Sequence, residues 1–443
     1  MDGGMGVSAP CDRCPGNPHL APQSRGPSTH DCQPLNSESH PSRHMKSLHL
    51  LFLGVLLVSA DTQASWTNWR GPRFNGTQDG ARLPEKLSGP ESVAWETPLP
   101  GRGLSSPVIV GQRAFLTASS GGKQERLHVI CFSTVDGSKI WERTFLATGR
   151  TMSHEKTSVA APTPTSDGQF VYALYSSNDL VCLDLDGNLI WFRGLGLDHP
   201  NASNSLGMSS SLVTTDGVVL AQIENDSESL ALGIDTRSGE NLWKLERPKM
   251  ANWCSPTIAS RSDGSKAFCL QSGKGVLAVA PRTGKTIWDY SEGASTVASS
   301  AHHEGIIYAP SHGLTAFKPG AEGQPVEQIW RSGQLRPGTA SPVIADGKVF
   351  ALNDGGVLSA GELATGKRLW QLRLKGPFSS TPVAVGNKML AVSEKGVVQL
   401  IDLSKPEGEV MSELDLKETV LGTPSLAEDG VYVRSDAKLW KLK

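Results

Sequence analysis

The chain has 443 residues, with 42 Lys plus Arg against 44 Asp plus Glu and a formal net charge of −2, a balance that excludes the clearly basic profile of a nucleic-acid binder. Charged residues make up 19% and hydrophobic ones 38%, which excludes a highly charged disordered chain. The 47 glycines, above the usual share of about 7%, point to many tight turns between short strands.

In chain order, residues 1–44 come first. They are rich in Pro, Ser, Gly and His and show no apolar period. They read as a mis-called or disordered leader, with translation starting at Met45. Cys11, Cys14, His30 and Cys32 begin like a zinc set, but the second half has the wrong spacing and no hydrophobic pattern surrounds it. Met45-Lys46 precedes an apolar run, LHLLFLGVLLVSA, from Leu48 to Ala60. The run is too short for a membrane-spanning helix, which needs about 20 residues. With small residues following it, the segment 45–64 has the plan of a Sec-type signal peptide, cut after Ala60 or Ala64. The expected location is periplasmic or secreted, with no transmembrane segment in the mature chain. Four cysteines follow the signal: Cys131, Cys182, Cys254 and Cys269. Buried free thiols are the expected state, and a Cys254–Cys269 disulfide stays open in an oxidising compartment.

From there the sequence repeats. Trp95, Trp141, Trp191, Trp243, Trp288, Trp330 and Trp370 recur at intervals of 40 to 52 residues. A common phrase leads into most of them: VDGSKIW, LDGNLIW, RSGENLW, RTGKTIW and ATGKRLW. A Ser-Pro or Thr-Pro follows, then a Gly turn and an apolar run, as in SSPVIVGQRAFLTA from Ser105 and ASPVIADGKVFAL from Ala340. Glycine provides the positive φ that such hairpins require. Each unit reads as four short strands, and four strands per 40–50 residues is the signature of a propeller blade. Eight units begin near residues 105, 160, 208, 253, 298, 339, 379 and 422. In the seventh, Val410-Met411 stands where Trp is expected. The eighth supplies three strands, ending LWKLK, and its fourth is expected from VAWETPL around Trp95. The fold is therefore an all-β, eight-bladed β-propeller over residues 65–443, closed by an N-terminal strand that completes the last blade and leaves no open edge.

The phrase around each Trp resembles the repeat of the pyrroloquinoline-quinone (PQQ)-like propellers. In that family the Thr-Gly turn and the Trp dock on the neighbouring blade. Eight blades match both the quinoprotein alcohol dehydrogenases and BamB, the outer-membrane assembly lipoprotein. The entry segment WTNWRGPRFNGTQDG, with LPEKL and PLPGRGLSSP, is similar to secreted repeat proteins of planctomycete-type bacteria. The dehydrogenase resemblance implies PQQ with calcium in the central funnel, yet this chain has no Cys-Cys pair and no acidic set at successive blade entries. The BamB resemblance implies outer-membrane protein assembly, yet no lipid-accepting Cys follows the apolar run. The expectation is a monomeric, non-catalytic binding or interaction scaffold of the cell envelope, with a protein, peptide or glycan partner. A PQQ-dependent dehydrogenase and a BamB-like assembly factor are the alternatives.

Residues just before each Ser-Pro element should reach the funnel mouth. Arg102, His154, Lys156, Asn204, Trp253 and Arg336 are the ligand-binding candidates, with Leu104, Met208, Asn252, His302, His303, Phe378 and Thr419 at equivalent places. Arg, His, Lys and Asn beside an indole suit an anionic or polar ligand. His302-His303 makes no metal pair, because adjacent strand residues point to opposite faces. No catalytic residue and no metal ligand is assigned.

Overall fold

A computed structural model describes residues 66–203 and 206–443. The leader, the signal segment with both cleavage positions, the early Cys/His set and Asn204 lie outside the described residues.

Eight four-stranded antiparallel sheets follow one another along the chain. The first blade contains Val108–Val110, Arg113–Ser120, Arg126–Ser133 and Lys139–Leu146. The next six repeat the order, so each blade is a meander of consecutive strands. The eighth takes Ser425–Ala427, Gly430–Arg434 and Lys438–Leu442 from the C-terminus, and its fourth strand is Val93–Pro98. Trp95 pairs with Lys441 and Thr97 with Leu439. The sheet edge that the C-terminal strand would expose is thereby paired.

The core is a set of apolar layers between adjacent sheets. Leu116, Ile130 and Phe132 of the first blade pack with Val431, Tyr432 and Val433 of the eighth. The repeated tryptophans lock the layers together. Trp141 sits on the second-blade turn, where a Cβ at Gly187 would stand 2.7 Å from its Cδ2, and its indole N–H donates to the Leu185 carbonyl at 2.9 Å. Trp95, Trp191, Trp243 and Trp330 repeat the indole-to-carbonyl bond onto the following blade. Trp370 rests on Gly408. Trp288 differs: the fifth blade has no short Gly turn at that place, and the indole packs edge-on to Phe317.

The seventh blade corrects one expectation. Its last strand has a bulge between Leu400, which faces Ser412, and Ile401, which faces Val410. In the sixth blade Ala360 faces Trp370 and Gly361 faces Arg368 across the same bulge. The residue in the tryptophan's place is therefore Ser412, not Val410 or Met411. Its hydroxyl accepts the Leu87 N–H at 2.9 Å, and the buried Leu87 joins the layer between blades there.

Leu87 belongs to an N-terminal arm that the repeat does not encode. Trp66 exchanges two 3.0 Å backbone bonds with Ile109 of the first blade, and Thr67 accepts from Ser166 of the second. Asn75, Gly76 and Arg82 then bond to Ile344, Ala384 and Ala427 of the sixth, seventh and eighth blades. Arg70 is fully buried, and its guanidinium donates to the Ser300 carbonyl at 2.9 Å and to the Pro342 carbonyl. The arm thus bonds to innermost strands around the ring.

Candidate functional site

The end of the channel where the innermost strands begin holds a cavity of about 470 Å³. Its lining comes from every blade. Leu104, Thr163, Ser211, Ser255, Val297, Thr339, Thr381 and Thr423 represent the eight in turn, and Trp69 of the arm joins them. Trp69 is half-buried, and the Arg70 guanidinium lies 5.2 Å from its ring centroid.

The Ser-Pro signature has a specific task here. The hydroxyl before each proline, or its equivalent, accepts the backbone N–H of the matching residue one blade earlier. Ser106 donates to Thr163, Thr163 to Ser211, Ser211 to Ser255, Ser255 to Ser299, Ser299 to Ser341, Ser341 to Thr381 and Thr381 to Thr423, all at 2.9–3.2 Å. These seven bonds stitch the innermost strands into a ring. Strands in different sheets have no ladder between them, so their N–H groups need such partners. At the seam the ring is incomplete, and Ser106 Oγ has no partner among the described residues.

Four sequence candidates line the cavity: Leu104, His154, Lys156 and Trp253. Trp253 donates its indole N–H to the Gly207 carbonyl at 2.9 Å. Lys156 crosses from the loop before the second blade to Glu394 of the seventh, at 3.0 Å. Glu394 also accepts from the Ser379 hydroxyl at 2.6 Å. Arg102 stands behind this bridge. It pairs with Asp436 at 3.0 Å and donates to the Glu155 carbonyl at 2.9 Å and the Thr157 carbonyl at 3.2 Å, which holds the loop that carries Lys156.

The remaining candidates are elsewhere. Arg336 lines a separate surface cavity with His312 and Ser295, and its Nε donates to the Gly333 carbonyl. Asn252 is buried and donates to Glu224 and to the Gln271 carbonyl, both at 2.8 Å. Burial pushes the Glu224 carboxyl up, although Arg247 lies 2.6 Å away. Met208 and Phe378 are core residues, and Thr419 is exposed. His302 is on the arm side, with Nε2 2.6 Å from the Thr257 hydroxyl and its ring against Phe74. Cys131, Cys182, Cys254 and Cys269 are all free and buried, so the open Cys254–Cys269 pairing is not formed.

Sequence reasoning missed Trp69, Asp354 and Glu394. Asp354 lines the cavity and accepts the Thr339 N–H at 2.6 Å. Both acids sit in turns between the second and third strands of their blades, and only the closed ring brings those turns to the channel. A Ser120–His128–Glu142 series also escaped notice, with contacts of 2.7 and 2.8 Å. It ties three strands of the first blade together and lies outside the funnel lining.

The profile of the family described as outer membrane protein assembly factor BamB matches residues 89–221, 147–306 and 324–410, more than half of the chain. The chain belongs to this PQQ-like repeat family. Solved PQQ-like propellers share the fold. BamB from Moraxella catarrhalis is 16% identical with a TM-score of 0.57, over 81% of this chain and 97% of that one. A europium-containing methanol dehydrogenase is 12% identical with a TM-score of 0.60, over 82% and 87%. The quinohemoprotein alcohol dehydrogenase from Comamonas testosteroni is 14% identical with a TM-score of 0.59, over 85% and 80%. No curated protein matches the chain in sequence.

The cofactor that the dehydrogenase resemblance implies can be tested against this lining. PQQ is a tricarboxylate. The cavity offers two carboxylates, Asp354 and Glu394, and one ammonium, Lys156, which Glu394 already engages. No group of three or more His, Cys, Asp or Glu side chains converges to hold a metal among the described residues. An anionic quinone with calcium does not fit these residues.

Proposed function

We propose that the protein is an exported, non-catalytic binding scaffold of the cell envelope that takes its ligand in the funnel. The observation that carries this reading is the cavity itself: about 470 Å³, walled by all eight blades, floored by Trp69 and bridged by Lys156 and Glu394. Pockets of this size with aromatic walls and a few fixed polar groups are the usual form of a small-ligand site. No helix among the described residues is long and apolar enough to cross a membrane, and the signal segment 45–64 supports export.

Titration of the chain from residue 61 with PQQ plus Ca²⁺, followed by absorbance and thermal shift, tests the reading. The expected result is no saturable change. Saturable binding that raises the melting temperature would replace it with the quinoprotein dehydrogenase reading. The family match favours a second reading, outer-membrane protein assembly, which co-purification with outer-membrane assembly proteins would test.

A further inference from the structure

We infer that the ligand of the funnel is an uncharged saccharide. The inference rests on the binding reading above and concerns the chemistry of the same cavity.

Three features of the lining decide the class. First, five residues of the inter-blade ring, Thr163, Ser211, Ser255, Thr381 and Thr423, line the cavity, and the hydroxyl of each accepts a backbone N–H from the preceding blade. A hydroxyl has one donor and two acceptor sites, so with one acceptor site occupied it still has its O–H to offer. Each keeps one donor and one acceptor site, which suits a ligand that both donates and accepts. Second, the carboxylates Asp354 and Glu394 outnumber Lys156 in the lining. The local charge therefore opposes an anion, and carboxylates are strong acceptors for ligand hydroxyls. Third, the half-buried indoles of Trp69 and Trp253 provide flat apolar walls, one at the floor and one at the side. A ligand that satisfies all three presents donors and acceptors together, bears no negative charge and has an apolar face. A pyranose ring has these properties.

This reading departs from the sequence expectation of an anionic or polar ligand. Arg102 and Arg336 motivated the anionic half. One is engaged with Asp436 and the 155–157 loop, and the other lines a different cavity.

The test is thermal shift and calorimetry of the chain from residue 61. The ligands are a panel of neutral disaccharides (cellobiose, maltose, lactose and N,N′-diacetylchitobiose), a printed array of neutral and acidic glycans, spermidine and PQQ. The expected result is saturable binding of at least one neutral saccharide, weakened at least ten-fold by Asp354→Asn and by Trp253→Ala. Thr339→Val, which removes one cavity hydroxyl and keeps the side-chain shape, guards against a Trp253 variant that fails to fold, and is expected to weaken binding several-fold. Asp354→Asn also separates the ligand classes, since it would tighten an anion. Binding of spermidine or acidic glycans alone, or of no neutral saccharide on the array, would overturn the saccharide assignment and leave the scaffold reading standing. Saturable PQQ binding would overturn the scaffold reading itself.

Discussion

At Gly187 two demands meet in one residue. Its φ is +83°, and a Cβ there would press into the Trp141 ring. Gly187→Ala should cost about 1–3 kcal/mol through strain and displacement of the indole, and Trp141→Ala about 3–5 kcal/mol as a large core truncation. Urea denaturation of both variants checks this, with the Trp variant expected to lose more. At His302 the demand is electrostatic. Burial, reinforced by the Arg70 charge, holds this imidazole down to about 3, against about 6.5 in an unfolded chain. Between those values the unfolded state takes up a proton that the folded state refuses. The stability this group contributes is complete above about pH 6.5 and declines as the pH falls toward 3. Melting temperatures of the wild type should fall more steeply between pH 6.5 and 4 than those of His302→Gln. The repeated residues were legible in the sequence because each recurs at one period, Gly in the turn and Trp four positions later. Trp69 and Arg70 were not. They occur once, Arg70 with a positive φ of 65°, and their place depends on blades more than 200 residues away.

The elements divide in the same way. Every four-stranded unit was readable, because alternation and Gly turns agree on strand period and length and the Trp phrase marks most of the fourth strands. The Ser-Pro element was readable as the start of an innermost strand, but its role as an inter-blade acceptor was not, since no local pattern shows that adjacent sheets need partners for their N–H groups. Ser211 and Ser299, which lack a following proline, take part equally. A Ser255→Ala substitution leaves the Ser211 N–H without its acceptor in a buried setting, and about 1–3 kcal/mol of destabilisation is expected. Chemical denaturation measures it. Should Ser255→Ala match the wild type within error, the stitching ring contributes nothing. The degenerate seventh blade shows the limit of reading by motif. Counting from the turn glycine, Gly408 to Ser412 keeps the same four-residue step as Gly366 to Trp370, and that step identifies the position where residue type does not.

At the scale of the whole molecule, the first and last strands of the propeller meet in one blade. The missing fourth strand of the last unit, counted in sequence, has its match in the pairing of Val93–Pro98 with Lys438–Leu442. The arm adds what counting could not supply, a floor for the funnel and a Leu87 contact in the place of the absent tryptophan. Closure also explains how the cavity can take one residue or more from each of eight blades, since an open arc would splay its inner strands. The most direct test is complementation in two pieces. The chain beginning at residue 101 is melted alone and with a synthetic peptide of residues 66–98. The closed-ring account predicts a melting temperature well below that of the chain from residue 61, raised in a saturable way by the peptide. A shortened chain that melts at the same temperature as the longer one would contradict it.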